Sequence, residues 1–133
     1  PITEIHGGPD LFINKGSTIN LTCVVKFAPE PPPQMVWSHN SEVINFDSPR
    51  GGISLVTEKG RLTTSRLLVQ KAIQSDSGMY TCAPSNANPL SVRVHILNGK
   101  CFQSPYTYVY ISHLNISFRH LVRCGRFYLR KRN

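Results

Sequence analysis

The sequence has no apolar run long enough to cross a membrane as a helix. Its candidate, residues 106–122 near the C-terminus, is 17 residues long and includes His113, Asn115, Arg119 and His120. A helical span takes about 20 mainly apolar residues, and a central arginine alone costs roughly 2.5–3.5 kcal/mol on insertion scales. A span is therefore excluded. The chain also opens at Pro1 with neither an initiator methionine nor a charged-then-apolar leader. It is expected to be a fragment or a mature segment.

Catalytic signatures are missing as well. Serine, histidine and aspartate all occur, but no G-x-S-x-G elbow, no H-E-x-x-H pair and no phosphate-cradling glycine loop does. The glycine pairs in IHGGPD and PRGGIS lack the strand–loop–helix setting of a phosphate site, and β-turns are expected there. His6, His39 and His95 stand apart with no carboxylate pattern and are expected at surfaces or turns. None of the four cysteines (Cys23, Cys82, Cys101, Cys124) forms a C-x-x-C pair, which excludes zinc ribbons and thioredoxin-like sites. Wide spacing instead suits structural disulfides in an oxidising, extracellular setting. Two sequons, at Asn20 and Asn115, agree with that setting. No enzyme activity, cofactor or metal is expected.

Acidic residues are absent from the C-terminal segment. Residues 1–99 carry 8 Lys/Arg and 7 Asp/Glu, a net of +1, whereas 100–133 carry 7 Lys/Arg and no acid, a net of +7. The overall charge of +8 thus belongs almost wholly to a tail, and says little about the body's partners.

Within the body no amphipathic helix of useful length is legible. Short strands separated by turn residues are. INLTCVV (19–25) alternates Ile19, Leu21, Cys23 and Val25 on one face with Asn20, Thr22 and Val24 on the other, the period of a half-buried strand. APEPPP (28–33) cannot continue a ladder, because proline lacks the N–H. Further strands are expected at 34–39, 52–58, 64–70, 79–83 and 91–97, with DSPRGG (47–52) a turn.

Four residues organise these strands. Cys23 and Cys82 lie 59 positions apart, Trp37 follows Cys23 by 14, and Tyr80 precedes Cys82 by two. These are the marks of an immunoglobulin sandwich: an inter-sheet disulfide, a tryptophan packed on it, and a tyrosine corner. The fold class expected is all-β, an immunoglobulin-like β-sandwich of I-set-like type, over residues 1–99. Within SDSGMYTC (75–82), Gly78 is expected to support a tight turn and Asp76 to bond local backbone N–H groups.

The runs GSTINLTCVVKFAPEPPP, VWSHNSEVINFDSPRGGISLVTEKG, LTTSRLLVQKA and SDSGMYTCAPSNANPLSVRVHILNG closely resemble the second immunoglobulin domain of the defective proboscis extension response (Dpr) family. These are insect neuronal cell-surface receptors. The resemblance covers roughly residues 1–99; DSPRGG, VTEKG and PSNANP carry it beyond the cysteine–tryptophan frame. It implies a non-enzymatic recognition and adhesion module on the extracellular side of the plasma membrane, at neuronal projections or synapses. The implied roles are in synaptic partner choice and chemosensory circuits. The implied partners are cell-surface immunoglobulin-superfamily proteins, the Dpr-interacting proteins, bound mainly through a first domain that this chain lacks. No nucleic acid and no small-molecule substrate is implied. Only the frame residues Cys23, Trp37, Tyr80 and Cys82 transfer.

Inward-facing Cys23 and Trp37 fix which neighbours face out. Asn20 should point to solvent, where a glycan would shield one sheet. The opposite sheet then offers Val36, Ser38, Met79, Thr81, Arg93 and His95 as the candidate contact face. Val36 and Met79 are apolar where solvent favours polar groups.

The resemblance stops after Gly99. Residues 100–133 hold 7 of the 12 aromatics and alternate in a mostly strand-like way over 106–118. They are expected to be a non-homologous, poorly ordered extension. Cys101 and Cys124 are a possible second disulfide, but with His113 and His120 they match no closed zinc site. The alternative function is binding of polyanions or anionic membrane through this basic, aromatic tail.

Overall fold

The computed structural model describes residues 1–98 in full and, beyond them, the backbone of 99–103, 108–112, 122–124 and 127–129. The Asn115 sequon and the Cys101 and Cys124 side chains lie outside the described residues.

The body is a sandwich of two sheets. One has four strands in the order β1 (Ile2–Ile5), β3 (Ile19–Lys26), β7 (Thr63–Val69), β6 (Ile53–Glu58). The other has five: β2 (Asp10–Asn14), β9 (Leu90–Leu97), β8 (Gly78–Pro84), β4 (Met35–His39), β5 (Glu42–Val43). The chain beyond carries two antiparallel pairs, β10 (Gly99–Gln103) with β11 (Tyr108–Ser112) and β12 (Val122–Cys124) with β13 (Phe127–Leu129).

Side-chain alternation builds the core. Ile19, Leu21, Cys23 and Val25 from β3 and Leu67 and Val69 from β7 face Trp37, Tyr80, Cys82, Val92, Val94 and Ile96 from the other sheet, and all are buried. Apolar burial of this kind stabilises by roughly 25 cal/mol per Å² removed from water. Val24 departs from its expected outward-polar setting and is only 5% exposed. On that face it pairs with Glu4 of β1 and Thr64 of β7, so neighbouring strands flank it on both sides.

The N-terminal strand changes sheets partway. Ile2–Ile5 pairs antiparallel with β3, whereas Asp10–Asn14 pairs parallel with β9. The turn between them holds Gly7 at φ 105° and Gly8 at φ 81°. Glycine tolerates that region without the Cβ penalty, and at Gly7 a Cβ would also stand 2.7 Å from Leu11 Cδ2. The turns expected at IHGGPD and PRGGIS are thus present, and Gly51 and Gly52 likewise have positive φ. Strands β1, β2 and β5 were not foreseen. Each is five residues or shorter, too short for periodicity to separate strand from turn.

Candidate functional site

The frame residues meet as expected. Cys23 and Cys82 form a disulfide between the sheets. Trp37, directly opposite Cys82 in the β4–β8 ladder, donates its indole N–H to Ser65 Oγ at 2.9 Å across the sandwich. The Tyr80 hydroxyl donates to the Asp76 carbonyl at 2.6 Å, closing a tyrosine corner over the 3₁₀ turn at Gln74–Asp76. Burial, reinforced by the Asp76 charge and opposed by Arg50, holds the Tyr80 phenol well above its ordinary pKa. It therefore stays a neutral donor. Tyr80→Phe keeps the ring but orphans the Asp76 carbonyl. It should cost about 1–3 kcal/mol, read as a lower urea midpoint with an unchanged m-value.

Asp76 bonds local backbone as expected, accepting from the Ile73 N–H at 2.8 Å. Its main partner was not foreseen. Arg50 donates Nε to Oδ1 at 2.9 Å and Nη2 to Oδ2 at 2.5 Å, a bidentate pair. The Arg50 guanidinium also bonds the carbonyls of Gly51 and Gln70. Burial pushes the Asp76 carboxyl up, but the Arg50 hydrogen bonds, the Ile73 amide and the Arg50 charge outweigh it and hold the carboxyl below the ordinary range. The same hydrogen bond to Asp76 raises Arg50. The pair lines a cavity of about 290 Å³ with His39, Glu42, Ile44 and Tyr80. Ser48 and Ser75 line it too, while the Arg50 guanidinium and the Tyr80 hydroxyl are already tied to protein groups. The available sequence signal was one arginine in the turn DSPRGG.

Gly78 has φ 125°, and a Cβ there would overlap the Asn40 side chain. Asn40 Oδ1 uses that space to accept from the Met79 N–H at 3.0 Å. Two histidines depart from their expectation as isolated surface groups. His39 stacks on Tyr80, ring centroids 4.4 Å apart, and bonds the Ser77 carbonyl at 2.7 Å. His95 meets Asp10 at 2.9 Å and stacks on Phe12.

The six residues of the candidate face lie on the outer side of the five-stranded sheet. Thr81 stands between Ser38 and Ser91 in the ladders, with Val43 beyond Ser38. One step along, Met79 pairs with Arg93 and Arg93 with Asp10; further on, His95 pairs with Phe12. Val36 lies opposite Ala83. Val36 and Arg93 are exposed, whereas Ser38, Met79, Thr81 and His95 are half-buried. Sequence reasoning missed Val43, 70% exposed at the sheet edge, and the β2 residues Asp10 and Phe12. DLFIN does alternate Asp10, Phe12 and Asn14 with Leu11 and Ile13, and that was the overlooked signal. Asn20 is exposed on the opposite sheet, as expected.

A two-sheet sandwich with an inter-sheet disulfide, a packed tryptophan and a tyrosine corner is an immunoglobulin domain. The immunoglobulin domain family model matches residues 9–94, and the chain belongs to that family. It is 33% identical over 87 residues to mouse hemicentin-1, covering 64% of this chain and 1% of that protein. It is 29% identical over 94 residues to human transmembrane and immunoglobulin domain-containing protein 1, covering 70% of this chain and 33% of that one. The chain thus spans a small part of the curated relatives it matches. Among solved structures, it is similar to a chain of the complex of Dpr2 Ig1-Ig2 with DIP-Theta Ig1-Ig3, with 30% identity, TM-score 0.62, and coverage of 72% of this chain and 49% of that one. Titin domain I10, at 18% identity and TM-score 0.53, covering 72% and 99%, shares the fold. Among the described residues no helix is long and apolar enough to cross a membrane.

Proposed function

We propose that this domain is a non-enzymatic recognition module of a neuronal, Dpr-type cell-surface receptor. It binds another immunoglobulin-superfamily protein through the outer face of the five-stranded sheet. The observation that carries the reading is the 30% identity and TM-score of 0.62 to a chain of the Dpr2–DIP-Theta complex. The face supplies matching chemistry. Val36, Val43 and Met79 offer apolar contact beside the Thr81–Ser91 hydroxyl pair, linked at 2.7 Å, and the Arg93 cation. Apolar anchors ringed by polar groups suit a protein partner. The domain would work on the extracellular side of the plasma membrane, in synaptic partner choice and chemosensory circuits.

The test is surface plasmon resonance against a panel of immunoglobulin-superfamily ectodomains, Dpr-interacting proteins included. Val36→Glu and Met79→Glu should each weaken a bound partner at least tenfold while thermal midpoints stay unchanged. Binding that ignores both substitutions and disappears on deleting 100–133 would instead assign recognition to the basic tail.

A further inference from the structure

We infer that Asn20 carries an N-linked glycan, and that this glycan covers the outer face of the four-stranded sheet. The inference rests on the extracellular reading above.

Three structural features single out Asn20. Its side chain is exposed, and no hydrogen bond is described for it. The Asn20-Leu21-Thr22 sequon lies within β3, where alternation sends Asn20 and Thr22 to the outer face while Leu21 is fully buried. Beside it the sheet is open. Strand β1 pairs with β3 only from Cys23 onward, and its last contact is the His6 N–H donating to the Thr22 carbonyl at 2.9 Å. A bulky group on Asn20 therefore meets no paired strand on that side.

The other side offers a seat. Opposite Asn20 in β7 is half-buried Leu68, and opposite Leu68 in β6 is exposed Ser54. One step along, Val56 is 46% exposed. A sugar ring presents an apolar face of C–H groups alongside its hydroxyls, so the first residues of a glycan fit over Leu68 and toward Val56. The same placement protects β6, whose outer edge is unpaired among the described residues. Such edges invite pairing with other chains unless something covers them, and a surface glycan is bulky and solubilising. Two sheets thus receive opposite treatment: one covered, the other left open for a partner.

The covalent step uses a lipid-pyrophosphate-linked oligosaccharide as donor. Asn20 Nδ2 forms a bond to the anomeric carbon of the first sugar, and the bond from that carbon to the pyrophosphate oxygen breaks. The lipid pyrophosphate leaves with the electron pair, and the amide gives up one proton to the transferase.

The experiment is secretion of the whole chain from insect cells behind a heterologous leader, followed by peptide mass spectrometry after enzymatic deglycosylation in ¹⁸O-water. The expected result is ¹⁸O-labelled Asp at position 20, retained in Thr22→Ser and lost in Thr22→Ala and Asn20→Gln. Secreted, disulfide-intact wild-type protein with unlabelled Asn20 overturns the inference, and needs no variant to fold. Hydrogen exchange tests the cover. Amides of residues 53–58 should exchange faster once the glycan is removed, and unchanged exchange overturns the shielding. Loss of partner binding with Asn20 still glycosylated would fault the contact face alone.

Discussion

Replacing Cys23 and Cys82 together by alanine should lower the unfolding free energy by more than about 4 kcal/mol at 25 °C. The disulfide joins residues 59 positions apart. By the chain-entropy account, closing a loop of that size removes about 4 kcal/mol worth of freedom from the unfolded chain. A small domain has only about 5–15 kcal/mol in total, so a large share of the stability is at stake. Both sulfurs are fully buried among Trp37, Leu21 and Leu67, and truncation to alanine leaves a gap that adds to the loss. Urea denaturation followed by Trp37 fluorescence reads the effect directly. A midpoint that barely moves would show that the two sheets hold together through packing alone. The Cys23→Ala/Cys82→Val variant, which refills the space, separates the cross-link from the cavity: it should recover only the smaller part.

Asp76→Asn should cost about 1–3 kcal/mol, the range for removing the charged acceptor from part-buried hydrogen-bond donors. The Asp76 side chain is 8% exposed and Arg50's 23%, so water cannot replace the lost partner well. The effect should depend on pH in a definite direction. The folded Asp76 carboxyl sits below its ordinary range, so folding favours its ionised form. That stabilisation is fully present above the unfolded pKa, about 3.9, and is lost as pH falls through the depressed folded value. The gap between wild type and Asp76→Asn should therefore be widest near neutral pH and close progressively below about pH 4. Chemical denaturation at a series of pH values measures it. A gap that stays constant into acid would mean that Asp76 acts by shape and not by charge. Arg50→Met/Asp76→Leu should lose less than either single substitution, because no charge is left stranded.

How far the molecule could be read from its sequence varies from residue to residue, and the reason is range. Period-2 alternation is local, and it assigned the buried faces of β3 and β9 correctly. The disulfide frame was legible because cysteine and tryptophan are scarce and their spacing is characteristic. Arg50 was not, since an arginine in a turn looks the same whether it points to water or to a carboxylate 26 residues away. Val24 follows the alternation, yet burial of its outer side depends on the strands beside it, which no local pattern reports.

The candidate face shows the same division. Its six named residues were expected to face outward because Cys23 and Trp37 face inward, and they lie together on one sheet face. Asp10 and Phe12 joined them only through the parallel pairing of β2 with β9, which brings Asp10 against His95 from 85 positions away. What the sequence by itself determined was the sandwich and its staple, because alternation and cysteine spacing act along the chain. Only the tertiary structure decided which sheet stands open around Asn20, which carboxylate pairs with Arg50, and which side chains share a surface. Those depend on strand order and register, and register is set by burial against distant strands.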